Sequence, residues 1–386
     1  MNQHDQHDAH PTPTTPAEQR EDREQLESRR FDPKGRRSFL VFMVVAGLLF
    51  AGALGWLLYQ YFELKQHIRG EGINIASYGY DLDGFRGDRD LLIASGLSKD
   101  ERVAIVNPDR AMFWSVEQVD QLNEERRHRW VRAIAANEPL IGVAIGDEAR
   151  AYPLRFLNWH EIVNDTIAGV PVAVTWSPIS SAAVVFDRRV GDEVLTFGYS
   201  GLFYNQNLVM YDVREADAGE SLWSQIGMRA IAGPRAGQAL RPIRFVWTTW
   251  SQWQADHPQT LVMHGIDTRE MQKAYRDSPL AGRYRTGRAE NPVRPLPPAD
   301  APLPQEAIVA AWPASGELAE PAFDPTGMRW HALPQPMLEA SPMPETGALA
   351  YARWFAWFAF HGDRTQVMDN PALDQLKQSM EASASP

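Results

Sequence analysis

The sequence predicts a β-dominated α+β fold, an antiparallel sandwich or barrel-like domain, with one N-terminal transmembrane helix. Three observations predict it. An uncharged run extends from Ser38 to Phe62. Short apolar runs recur from Leu140 to Tyr211, parted by turn residues at roughly regular spacing, a pattern that suits antiparallel strands better than βαβ units. With 386 residues and 44% hydrophobic content, the chain can build a real core, as one large domain or two medium ones.

Residues 1–37 are polar and interrupted by Pro11, Pro13 and Pro16. They cannot bury enough apolar surface to order, so they read as a disordered cytoplasmic tail. His4, His7 and His10 recur at every third position; on a helix they could hold a metal weakly, but a solvated tail is the plainer reading, and no metal site is expected. Residues 38–62 carry no charge, and at ~1.5 Å of rise per residue they reach across a hydrocarbon core ~30 Å thick. Arg29, Arg30, Lys34, Arg36 and Arg37 precede this run, whereas Lys65 and Arg69 behind it are interleaved with Glu63 and Glu71. The positive-inside rule then puts the N-terminus in the cytoplasm and everything after about Glu63 outside. Trp56, Tyr59, Tyr61 and Phe62 sit where an interfacial aromatic belt belongs. The segment Gly35-Arg36-Arg37-Ser38-Phe39-Leu40 resembles a bacterial twin-arginine export signal without its usual flanking residues. Ala51-Gly52-Ala53 satisfies the small-residue rule for signal-peptidase cleavage, yet the apolar run continues through Leu54, Trp56, Leu57 and Leu58. An uncleaved anchor is expected.

Residues 63–94 read as a juxtamembrane connector and 95–290 as the main domain. Ser115-Val116-Glu117-Gln118 is a capping box that opens a helix with Val116, Val119 and Leu122 on one face. The run through Arg126, Arg127 and Arg129 to Trp130 and Ile134 extends it or starts another. Leu140–Ile145 and Ala149–Leu154 flank Gly146-Asp147, a two-residue hairpin signal. Val170–Trp176, Ala182–Phe186, Val194–Tyr199 and Leu208–Tyr211 are further strand candidates. Asn291–Pro304 is Pro-rich, a linker or long surface loop. Residues 305–370 form a C-terminal part packed on the main domain, where the apolar Ala350–Phe360 reads as helix or strand, and 371–386 is a frayed tail.

Composition excludes some functions. The net charge is −11 with no Lys/Arg cluster beyond the juxtamembrane segment, so no nucleic acid is expected as partner. The chain has no cysteine, which rules out disulfides, thiolate metal sites and thiol nucleophiles. Of the thirteen Trp, Trp176, Trp223, Trp247, Trp250 and Trp253 read as core packing before ligand stacking.

The segment Gly146-Asp147-Glu148-Ala149-Arg150-Ala151-Tyr152-Pro153-Leu154, followed by Asn158-Trp159-His160-Glu161-Ile162-Val163-Asn164-Asp165, resembles the bacterial family catalogued as domain of unknown function 3179. The likeness continues in register through Val172–Asp187, Phe197-Gly198-Tyr199-Ser200-Gly201-Leu202, Leu208-Val209-Met210-Tyr211-Asp212, Ser221-Leu222-Trp223-Ser224-Gln225 and Ala232-Gly233-Pro234. It covers residues 95 to 290 and, more weakly, Trp354–His361. The resemblance implies a Cys-Pro-Leu-Cys-Gly segment between two strands, with selenocysteine there in some members, and so thiol redox chemistry or metal capture. Here the equivalent run is Ser177-Pro178-Ile179-Ser180-Ser181. A serine hydroxyl is a far weaker acid than a thiol and cannot cycle through a disulfide, so that activity is not expected in this chain.

The candidate binding residues are Asn158, His160, Glu161, Asp165, Ser177, Ser180, Tyr204 and Asn205. A helix over His160–Asp165 would put His160 beside Asn164 and Glu161 beside Asp165, a compact polar edge suited to proton transfer or metal ligation. Capping or loop-tying is the plainer role for such a run, and His-Glu with no second His four residues on is not the zinc-protease motif. Ser177 or Ser180 could be a nucleophile with His160 as base, but the Gly-x-Ser-x-Gly elbow is missing. Tyr204, Asn205 and Asn207 sit in a polar loop between strands, as pocket lining or as turn formers. The expected function is that of a single-pass protein of the bacterial inner (cytoplasmic) membrane. Its main domain is expected to be periplasmic or otherwise extracytoplasmic, and to work as a binding or accessory protein of the cell envelope for an unknown small molecule or envelope protein. The alternative is a non-thiol enzyme using His160 with Glu161 and Asp165. The cofactor, if any, is unknown from sequence.

Overall fold

The computed structural model describes residues 15–17, 19–21, 23–24, 33–67 and 69–368, apart from 127–132, 215–218, 267, 276–291, 315–323, 326–327 and 335–347. His4, His7 and His10, the run from Arg127 to Trp130 and the tail 371–386 lie outside them. The chain divides into Met1–Ile68 and Arg69–Pro386.

In the first unit one α-helix runs over Pro33–His67, past both ends of the uncharged stretch. Pro33 fits the first helical position, where its missing N–H costs nothing, and Glu63, Leu64, Lys65 and Gln66 are good helix formers that prolong it. Its Phe39–Leu58 stretch of 20 residues is exposed along its length and is, among the described residues, the one helix long and apolar enough to cross a membrane.

The second unit is β-rich. Its middle layer is a nine-stranded sheet among the described residues. Ile162–Ile167, Val170–Ser177 and Ala182–Asp187 form an antiparallel meander, with Ile162 opposite Thr175 and Ser177 opposite Ala182. Ala182–Asp187 pairs along its next edge with both Pro242–Ile243 and Ala350–Arg353, and the latter hands the sheet on to Ile308–Pro313, Trp330–Pro334 and Thr365–Val367. Ile105–Val106 lies parallel on the opposite edge, beside Val163 and Asn164.

Side chains leave this sheet alternately to two sides, and both sides are covered. Ile162, Val184 and Phe186 pack with Phe197, Tyr199, Leu208 and Met210 of an antiparallel sheet built from Leu92–Ala94, Phe197–Tyr204, Asn207–Asp212, Leu222–Ser224 and Arg229–Ala232. Val163, Val172, Val174 and Val185 pack on the other side with Ile141, Val143, Tyr152 and Met263. Those belong to a third sheet of Val246–Thr249, Pro139–Ile145, Glu148–Pro153, Leu261–Met263 and Phe113–Ser115. Burial on both faces is why Val172–Trp176 and Ala182–Phe186 read as continuous apolar runs and not as an alternation. The sandwich therefore has three layers.

The Gly146-Asp147 hairpin and the Ser115 capping box form as the sequence predicts; Gly146 takes φ +55° and Ser115 exchanges both cap bonds with Gln118. The Val194–Tyr199 candidate divides into Glu193–Val194, which closes a small hairpin with Arg189–Val190, and Phe197–Tyr204 in the second sheet. Ala350–Phe360 is strand and then helix, Ala350–Arg353 running into Trp354–His361. Residues 69–94, read above as connector, fold into the domain: Tyr78, Leu91 and Leu92 cover the outer face of the second sheet with Leu202, Val209 and Tyr211. The Pro-rich stretch is likewise packed, with Val293 and Leu303 in the main core.

Candidate functional site

The helix Leu154–His160 buries Leu154, Phe156, Leu157 and His160, and it ends because Glu161 turns left-handed at φ +57° and caps with a backbone bond to Leu157. The β-branched Ile162 and Val163 then start a strand. The helix expected over His160–Asp165 is thus corrected to a helix end, a corner and a strand, in which Glu161 and Asp165 are not neighbours on one face. Asp165 points toward the third sheet, where its carboxylate accepts from Tyr152 Oη at 2.6 Å and from Arg150 at 2.5 Å.

His160 is 2% exposed. Its Nδ1 lies 2.8 Å from the Val103 carbonyl, which can only accept, so Nδ1 carries the proton and Nε2 accepts from the Tyr275 hydroxyl at 2.7 Å. Burial lowers its pKa and holds the ring neutral. Both nitrogens are committed. Neither is left for a metal or a serine, and no hydrogen bond joins His160 to Ser177 or Ser180 among the described residues. Asn158 accepts from Trp176 Nε1 at 2.8 Å and so ties the helix to the sheet.

Ser177 and Ser180 bound a tight turn and are both fully buried. Ser180 Oγ accepts from Asn207 Nδ2 at 3.1 Å, and its carbonyl accepts from the Arg353 amide at 2.9 Å. Asn207 also donates to Gln225 Oε1 at 2.8 Å and accepts from the Ile226 amide at 3.0 Å. Gln225 donates in turn to Thr175 Oγ1, which donates to the Val184 carbonyl. This polar network crosses from the second sheet into the middle one. The Ser177 hydroxyl has no partner among the described residues. Tyr204 and Asn205 do something else: the Tyr204 hydroxyl accepts from the Asp88 amide, while Asn205 exchanges two bonds with the backbone of Arg294. With Asn205 and Gln206 at φ +52° and +56°, this is a turn that clamps the Pro-rich segment.

Glu161 is 2% exposed and its Oε2 has no partner among the described residues. Arg102 Nε stands 3.9 Å from Oε1, an ion pair too long for a hydrogen bond, and has no other partner among the described residues. Burial pushes the Glu161 carboxyl up to about 8, against the pull of Arg102. The hydroxyl of the buried Tyr199, close enough to feel Glu161, stands beside Ser95 and Tyr78, and no bond of good geometry reaches it from the described residues. Trp159 packs on the Arg102 guanidinium at 5.3 Å from its ring centre. The segment Lys99–Asn107 straps this corner down, through bonds from Asp100 to Tyr199, His160 to Val103 and Asn107 to Asn164.

Among the sequence candidates the structure therefore brings His160 and Glu161 to one corner and leaves Asp165, Ser180 and Tyr204 in separate bonding sets. Arg102 and Tyr199 were not singled out. Arg102 lies in the charged run Lys99–Arg102, which nothing local distinguishes from solvated surface, and its partner is far away in sequence. A surface groove of about 800 Å³ lies along Asp187, Arg189, Glu193, Arg235 and Arg241. Arg189 is paired there with Asp187, and Arg235 with Glu193, so they clasp the Arg189–Val194 hairpin.

A family model described as a protein of unknown function, DUF3179, matches residues 109–332. No curated protein and no solved structure matches the chain.

Proposed function

We propose, for a chain that belongs to the DUF3179 family of proteins of unknown function, that it is a membrane-anchored binding protein of the bacterial cell envelope, with its folded domain outside the cytoplasm and no thiol chemistry. What carries the choice of binding over catalysis is the sealing of the reactive candidates. Ser177 and Ser180 are fully buried, and His160 spends both ring nitrogens on Val103 and Tyr275. A nucleophile must be reached by its substrate, and a general base must have a free nitrogen. The anchor rests on the exposed apolar stretch Phe39–Leu58, and the orientation on the basic residues ahead of it. The second reading is a non-thiol enzyme. What favours it is Glu161 alone, a buried carboxyl raised toward neutrality with one free oxygen; Asp165 is held by Arg150 and Tyr152.

Two measurements test the proposal. An alkaline-phosphatase fusion after Pro386 is expected to be active, and a fluorescent cytoplasmic reporter at the same point dark; the reverse pattern sinks the orientation. Thermal unfolding of the detergent-solubilised chain against a small-molecule library is expected to find compounds that raise the midpoint. Turnover of a library compound, lost in Glu161→Gln, would replace the binding reading with the enzymatic one.

A further inference from the structure

We propose that the corner enclosed by Arg102, Glu161 and Tyr199 is a binding site for a small carboxylate anion, which takes over from Glu161 as the counterion of Arg102. The inference rests on the binding reading above and names its site and ligand class.

Geometry carries it: a largely buried guanidinium and a buried carboxyl stand 3.9 Å apart without a hydrogen bond, and Arg102 Nε, Glu161 Oε2 and the Tyr199 hydroxyl have no partner among the described residues. Arg102 cannot shed its proton, and its side chain is only 11% exposed. The described carboxylate beside it is Glu161, 3.9 Å away and not hydrogen-bonded to it. Burial leaves that carboxyl largely neutral around pH 7, because its pKa is raised to about 8. A guanidinium beside a neutral acid in a largely buried corner lacks a counterion, which is costly. A carboxylate matches the planar fork of the guanidinium. Around it stand the donors it needs: the unpartnered Arg102 Nε, the Tyr199 hydroxyl and the proton of neutral Glu161, whose Oε2 is unpartnered. Trp159 against the guanidinium holds the fork in place.

The other groups around Glu161 do not supply that charge. From the helix comes His160, neutral between Val103 and Tyr275. Beyond Tyr199 stand Tyr78 and Ser95. On the strap itself Lys99 is bound to both oxygens of Glu220, and Asp100 accepts from Tyr211. Glu161 must hold its proton while the anion is bound, so affinity should weaken as pH rises through about 8, by up to tenfold per pH unit above it.

The test is thermal unfolding of the detergent-solubilised full chain with formate or acetate against chloride at equal ionic strength, from pH 6.5 to 9.5. Carboxylate, and not chloride, is expected to raise the midpoint, with affinity falling more than about tenfold between pH 7.5 and 9.5. Glu161→Gln, a neutral isostere, should keep the response and lose its pH dependence. Arg102→Gln should abolish it; if that variant is unfolded, Arg102→Lys, which keeps the charge without the fork, should weaken it. An equal response to chloride, a silent wild type, or a response that survives both Arg102 substitutions overturns the inference. If carboxylates are silent while another library compound stabilises the chain, this inference falls and the binding reading stands. If no compound does, the binding reading falls with it.

Discussion

Asn207 shows how much one side chain can hold. Its amide donates to Ser180 and Gln225 and accepts from the Ile226 amide, all out of reach of water. Replacing it by Ala leaves three buried groups unsatisfied, each costing ~1–3 kcal/mol. Asn207→Ala is therefore expected to cost on the order of 4 kcal/mol in chemical denaturation, the rest of the network relaxing to recover part of the loss. A loss below about 1 kcal/mol would mean that the network is not fixed by this residue. His361 sets an acid limit. It is buried, its Nε2 donates to the Ile226 carbonyl, its Nδ1 faces Arg364, and burial lowers its pKa to about 4. A base whose folded pKa is depressed contributes stability that is fully present above the unfolded value of 6.5 and is lost as pH falls toward 4. Stability should thus drop with a slope of up to ~1.4 kcal/mol per pH unit in that window. His361→Asn should be less stable at neutral pH but lack this slope; an unchanged slope would assign it to other groups. Such roles were only half legible. Asn207 sits in a turn-rich run that any strand reader would mark, but what it bonds lies across a sheet interface that no local pattern encodes.

Among the elements, the legible ones are those whose cause is local. The Gly146-Asp147 hairpin and the Ser115-to-Gln118 cap each need only a few adjacent residues, and both formed. The end of the Leu154–His160 helix is not legible in the sequence, because His160–Asp165 fits a helical face as well as it fits a strand. What decides is the sheet, which takes Ile162 and Val163 into opposite cores and forces the left-handed corner at Glu161. Close contact between elements explains Gly142. A Cβ there would come within 2.3 Å of the Trp253 ring. That ring is buried, and its Nε1 is bonded to Thr260, so it cannot swing aside. Gly142→Ala is expected to destabilise by roughly 3 kcal/mol, the upper part of the overpacking range, read as a lower denaturation midpoint. An unchanged midpoint would show that the helix carrying Trp253 shifts freely.

At the scale of the whole molecule, the sequence suggested a sandwich, and the third layer escaped it. A strand buried on both faces carries no alternation to say how many sheets enclose it. The boundary of the folded unit also lies closer in sequence to the apolar helix than composition suggests. Arg69 accepts from the Lys99 amide and pairs with Glu220, and Gly70 leaves room for the buried Tyr78. A fragment starting at Arg69 is expected to be soluble, monodisperse and cooperative in unfolding. One starting at Tyr80 loses Tyr78 and should be less stable by ~3 kcal/mol or more; equal melting of the two would contradict this packing. The order of strands in the middle sheet has a kinetic consequence. Ala350 and Tyr351 pair with Val184 and Ala183, so the sheet cannot close across its centre until the chain has been made through Tyr351. Until then Ala183 and Val184, beyond the Val185–Phe186 pair that Pro242–Ile243 takes, present an unpaired apolar edge, the kind of surface that invites aggregation or chaperone capture. Such distant pairings slow folding. Shielding of that short edge during synthesis is therefore expected to raise the yield of folded protein.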